Sequence, residues 1–117
     1  MTTASFTYNR TIPAVTKEVA EKIKQLVSAS DRHASVILFG SRARGDASEE
    51  SDWDFLVLTD RDDAASLADT LRIKIRKEVE VPLNIAVSLI VKNRQVWEDD
   101  YAVTNIYESI AAEGLAL

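Results

Sequence analysis

Apolar residues recur at helical spacing over the first part of the chain and then give way to continuous or alternating runs. Val15, Val19, Ile23, Leu26 and Val27 follow Pro13 and predict a helix over 13–29, with the proline in its first turn. Ser30-Asp31-Arg32-His33 breaks that pattern. Ser35 to Phe39 then reads as a β-branched, apolar strand that stops at Gly40, residues 41–45 as a short helical turn, and 46–51 as a polar loop. Trp53 to Leu58 is a second apolar run of strand length. Asp60, Asp62 and Asp63 suit a helix N-terminus, and Ala64, Leu67, Ala68, Leu71 and Ile75 put one apolar face on a helix over 63–77. Glu78-Val79-Glu80-Val81 alternates with period two and predicts a strand. Pro82-Leu83-Asn84 is a turn, and Ile85 to Val91 a further strand. A polar segment around Trp97 leads to a last helix near 104–113, closed by Gly114. Phe6 and Tyr8 are spaced to dock on one side of a sheet edge, so residues 1–10 read as an arm.

This order of elements, with no internal repeat or linker, predicts a single α/β (α+β) layered domain over 1–117. A hydrophobic content of 46% and a charged content of 28% are ordinary for a globular chain. Apolar runs such as Val36–Phe39 are too short to span a bilayer, and the first ten residues lack the pattern of a signal peptide. With no cysteine, disulfides, thiolate metal sites and thiol catalysis are excluded, which fits a cytoplasmic location. The net charge of −5 disfavours general nucleic-acid binding. The basic cluster Arg72, Lys74, Arg76 and Lys77 reads as a solvated helix face.

The chemistry concentrates in one stretch, LFGSRARGDASEESDWDFLVL, residues 38–58. Residues two apart on a strand share a face, so Asp52 and Asp54 present neighbouring carboxylates. Two such groups repel each other unless a cation intervenes, and hard cations such as Mg²⁺ prefer oxygen ligands. A strand end whose acids simply face water is the plainer reading of that pair taken alone. Upstream, Gly40 follows a buried strand and Ser41 opens a helical turn, where glycine and free N–H groups admit a phosphate. Arg42 and Arg44 add positive charge, although an isolated Gly-Ser is by default an ordinary strand-to-helix turn. Together the two features suggest metal-assisted transfer of a phosphoryl or nucleotidyl group.

Gly40-Ser41, ten residues, then Asp52-Trp53-Asp54 resembles the signature of the DNA polymerase β-like nucleotidyltransferases, and the short chain looks like their minimal branch. The match covers residues 37–58, with a fainter one at Asn105-Ile106-Tyr107 and Glu113-Gly114. The resemblance implies a mixed β-sheet flanked by helices that holds Mg²⁺ and a nucleoside triphosphate, ATP, as substrate. It assigns the triphosphate to Gly40 and Ser41 with Arg42 and Arg44 beside them, and the metal to Asp52 and Asp54. It further implies a third carboxylate on a later strand that activates an acceptor hydroxyl. Relatives carry that acid in a strand resembling 83–89, which here reads Leu83-Asn84-Ile85-Ala86-Val87-Ser88-Leu89 and has none. Glu80 is therefore the expected third catalytic and metal-binding acid, with Glu78 as the alternative; an exposed edge-strand charge pair is the plain reading of both. The implied activity is transfer of AMP to a hydroxyl of a protein or small-molecule acceptor, and the implied partner a HEPN-type helical protein of a toxin–antitoxin pair, or a second copy of the chain. The competing reading is an inactive nucleotide- or partner-binding module on the same fold. Arg44-Gly45-Asp46 spells the integrin-recognition tripeptide, which has meaning only outside the cell; His33, Trp53 and Trp97 read as structural.

Overall fold

The computed structural model describes residues 13–117, so the expected arm at 1–10 lies outside the described residues. Helix α1 (Ala14–Ser30) buries Val19, Ala20, Ile23 and Val27 along one stripe, as its periodicity requires. Strand β1 (Ser35–Phe39) runs into the short helix α2 (Ser41–Arg44), and β2 (Trp53–Thr59) follows the polar loop. Helix α3 (Ala64–Ile75) leads through a π-helical turn (Arg76–Glu80) into α4 (Val81–Leu83). Strand β3 (Val87–Asn93), α5 (Arg94–Asp100), α6 (Asn105–Glu113) and β4 (Leu115–Ala116) complete the chain.

The sheet is mixed, with strand order β3-β2-β1-β4. β1 pairs antiparallel with β2 and β4, whereas β2 and β3 are parallel and are joined across α3. Alternation along β1 and β2 divides the interior into two layers. Val36, Leu38, Trp53, Phe55 and Val57 pack against α1 and α3, and Ile37 and Leu56 pack against Trp97 of α5 and Ile110 of α6. Trp97 also stacks on Tyr101 at 5.3 Å and meets Tyr107 at 5.4 Å. Among the described residues, no helix is long and apolar enough to cross a membrane.

The main departure from expectation is at 78–81, which is helical rather than a strand. Glu-Val-Glu-Val alternates, but Val79 also extends the series Leu67, Leu71, Ile75 at intervals of four, and all four side chains are buried. Four alternating residues lose to a helical stripe of that length. The π-helical turn falls just before Pro82, which has no N–H and crowds the carbonyl four residues back; the ladder there slips to Val81 N–H donating to Arg76 O. The third strand accordingly begins at Val87 instead of Ile85. Around Trp97 a helix replaces the expected polar segment, capped by Asn93, whose side chain accepts from the N–H groups of Gln95 and Val96. Gly114 ends α6 with its N–H on Ile110 O, in an extended conformation that feeds β4.

Candidate active site

Asp54 lies on the central strand, paired with Phe39 of β1 on one side and Ser88 of β3 on the other. It shares the face of Leu56, the α5–α6 side of the sheet, but sits at the strand's start, beyond the part those helices cover. Asp52, two residues earlier, is exposed, and Asp54 is half-buried. Burial is the main force raising the Asp54 carboxyl above the usual carboxylate range; the charge of Asp52 adds to it, and Arg44 pulls the other way. A half-buried carboxylate destabilised by its neighbour fits a hard divalent cation better than it fits an ordinary strand end.

Gly40 meets this pair directly. Its φ of +74° and ψ of −159° lie in a region essentially reserved for glycine. A Cβ built there would stand 2.3 Å from Asp54 Oδ2, so the missing side chain is what leaves room for the carboxylate. Ser41 then opens α2, whose carbonyls at Gly40 and Ser41 receive the N–H groups of residues 43–46. The N–H groups of Ser41 and Arg42, at the start of the helix, stand outside its own ladder.

The two arginines diverge. Arg44 is exposed, 3.3 Å from Asp46 and 3.1 Å from Glu113 at the end of α6. Arg42 turns toward the polar loop: Nη2 donates to the carbonyls of Glu49 (3.2 Å) and Ser51 (3.0 Å), and the guanidinium lies 4.2 Å above the Trp53 ring.

The expected third acid is not brought to the pair. Glu80 belongs to the π-helical turn, and its Oε2 accepts the N–H of Val87, 2.9 Å away, at the start of β3. Among the described residues β3 is a sheet edge, so this bond caps a strand donor that no neighbouring strand there reaches. Glu78 is exposed on the same turn. Among the described residues, no group of three or more His, Cys, Asp or Glu is placed to hold a metal ion. Ser88 occupies the position across from Asp54. Register, not residue type, sets its importance, so the alternation of Val87, Ser88 and Leu89 is the one signal of it that the sequence carries. Glu113 lies in the fainter stretch of the resemblance, but nothing in the sequence marks it as the partner of Arg44, 69 residues away.

A mixed sheet carrying a carboxylate pair beside a Gly-Ser turn defines a class of transferases, and comparison with known proteins gives the same result. The family model for the nucleotidyltransferase domain matches residues 16–112, and the chain belongs to that family. A Methanocaldococcus jannaschii protein named "putative protein adenylyltransferase" is 36% identical over 76 residues, covering 65% of this chain and 74% of that protein. A solved structure described as a "putative minimal nucleotidyltransferase" superposes with a TM-score of 0.59 at 23% identity, over 87% of this chain and 95% of that one. A chain of the toxin–antitoxin complex MntA-HpeT superposes with a TM-score of 0.52 at 20% identity, over 84% and 70%. At those identities the two structures support the fold alone.

Proposed function

We propose that the protein transfers AMP from ATP to a hydroxyl of a protein acceptor, with Mg²⁺ as the metal. The observation that carries this reading is the close approach of Gly40 to Asp54, which sets the Gly-Ser turn and the carboxylate pair edge to edge. Asp52 and Asp54 would hold the cation, which when bound supplies charge stabilisation for the triphosphate. Gly40 and Ser41 would receive the phosphates linked to that ion, and Arg44, whose charge is felt at Asp54, would add positive charge beside them. The attacking hydroxyl forms the new bond to the α-phosphorus, and the bond to the departing pyrophosphate breaks. With Ser88 across from Asp54, β3 offers no carboxylate to take the hydroxyl proton, so that proton passes to solvent or to a base on the acceptor.

A protein acceptor is supported by the name of the Methanocaldococcus relative, and the partner that goes with this reading is a HEPN-type helical protein of a toxin–antitoxin pair. Both fit a cytoplasmic setting supplied with ATP. The position of Ser88, with Glu80 held elsewhere, favours one second reading: a module that binds nucleotide and partner without transferring anything. ATP radiolabelled at its α-phosphate, incubated with the protein, Mg²⁺ and a lysate, separates the two. Transfer expects label on a protein band and its loss in Asp52→Ala and Asp54→Ala. Mg²⁺-dependent ATP binding by calorimetry with no label on any band would favour the module, and no binding at all would sink both.

A further inference from the structure

We infer that Arg42 is a positioning residue that fixes the 46–52 loop, and through it Asp52, rather than a ligand of the triphosphate. This rests on the carboxylate pair being a metal site, as proposed above. Asp52 is exposed, and no side-chain hydrogen bond among the described residues holds it, so its place depends on the backbone either side. Arg42 grips both sides. Its Nη2 bonds to Ser51 O hold the peptide that enters Asp52, and its guanidinium stacks on Trp53, the residue that leaves it. Trp53 is 1% exposed and packed in the main core, so it forms a fixed platform.

The loop's other bonds are local. Ser51 N–H donates to Ser48 O, and Ser48 N–H to Ser51 Oγ, which closes a turn without tying it to the sheet. The second Nη2 bond, to Glu49 O, attaches that turn to α2. Helix α2 is in turn anchored at Gly40, against Asp54. One side chain thus links the Gly-Ser turn, the loop and both flanks of Asp52. Nη2 is spent on carbonyls, one guanidinium face lies on an indole and Nε is buried without a hydrogen-bond partner, so among the described residues Nη1 is the one nitrogen left that could meet a phosphate. A lysine would keep the charge but lose the planar group that stacks while it donates.

The test compares Arg42→Lys and Arg42→Met with the unmodified protein, using Mn²⁺ as the probe. Supporting partners of metal ligands typically change metal affinity by about 10–100-fold, so both variants are expected to weaken Mn²⁺ binding, read by paramagnetic resonance, in that range. Amide hydrogen exchange over 48–52 should accelerate in both, while exchange in α1 and α3 stays unchanged. At saturating Mg²⁺, ATP affinity should remain near that of the unmodified protein. Three results would overturn the inference: unchanged loop exchange, rescue of Mn²⁺ affinity by lysine, or an ATP affinity that collapses at saturating Mg²⁺ in Arg42→Met alone. The last pattern would make Arg42 a phosphate ligand. Failure of the unmodified protein to bind Mn²⁺ would instead remove the metal site, leaving hydrogen exchange to decide the clamp alone.

Discussion

Gly40→Ala separates what the fold needs from what the site needs. The backbone at φ +74°, ψ −159° costs a residue with a side chain about 1–3 kcal/mol. For a domain near this size each kcal/mol lowers Tm by about 3–6 °C, so a drop of several degrees is expected. The new methyl would also stand 2.3 Å from Asp54 Oδ2, against 3.4 Å or more in ordinary contact, so the carboxylate must retreat by about 1 Å. That atom ends a half-buried side chain free to turn, so the movement adds little to the folding cost. Its consequence falls on the site: a misplacement of about 1 Å in a reacting constellation can lower a rate roughly 10²-fold. Thermal denaturation and calorimetry with ATP in the presence and absence of Mg²⁺ should therefore show modest destabilisation and a loss confined to the Mg²⁺-dependent part of binding. Combined with Asp54→Ala, the glycine substitution should cost less affinity than the two changes summed, because its target is gone. A Gly40→Ala protein with unaltered Tm and unaltered Mg²⁺-dependent binding would refute the reasoning.

Asp54→Asn should stabilise the metal-free protein at pH 7 while abolishing Mg²⁺ binding. The folded-state pKa of Asp54 is raised, so the native state holds its proton more tightly than the unfolded chain; the penalty is complete above the folded pKa and vanishes as pH falls below the unfolded one. Denaturation curves should accordingly converge for the two proteins in acid. Glu80→Gln keeps an acceptor for Val87 N–H and should leave turnover unchanged, whereas Glu80→Ala should cost about 1–2 kcal/mol by urea denaturation. A turnover loss in Glu80→Gln near the ~10²–10⁴-fold of a general base would restore that residue to the site. Ser88→Asp places an acid across from Asp54 and should tighten Mn²⁺ binding; no change would mean that the side chain at 88 does not reach the pair's metal.

Local chemistry made much of this protein legible before any coordinates. The stripe from Val15 to Val27, the apolar runs at 35–39 and 53–58 and the stripe from Ala64 to Ile75 each carry their own periodicity, and the elements appear there. The Gly-Ser turn and the two aspartates are close in sequence and lie at the end of β1 and the start of its antiparallel neighbour β2, so their spacing pointed to one site. The segment at 78–81 was misread because Val79 satisfies both periods, and only packing beneath α1 and α3 decides between them. That decision moved Glu80 from a supposed strand facing the aspartates to a helical turn capping an edge N–H. The partner of Asp54 on β3 is a matter of register between strands more than thirty residues apart, which no window of sequence contains. The fate of the two arginines was equally hidden: identical in charge and two residues apart, they point to different partners because α2 turns each to its own side. Sequence determined which groups exist and where the strongly periodic elements lie; tertiary structure decided the form of the segment at 78–81 and which groups meet, because meeting depends on contacts that the chain makes only once it is folded.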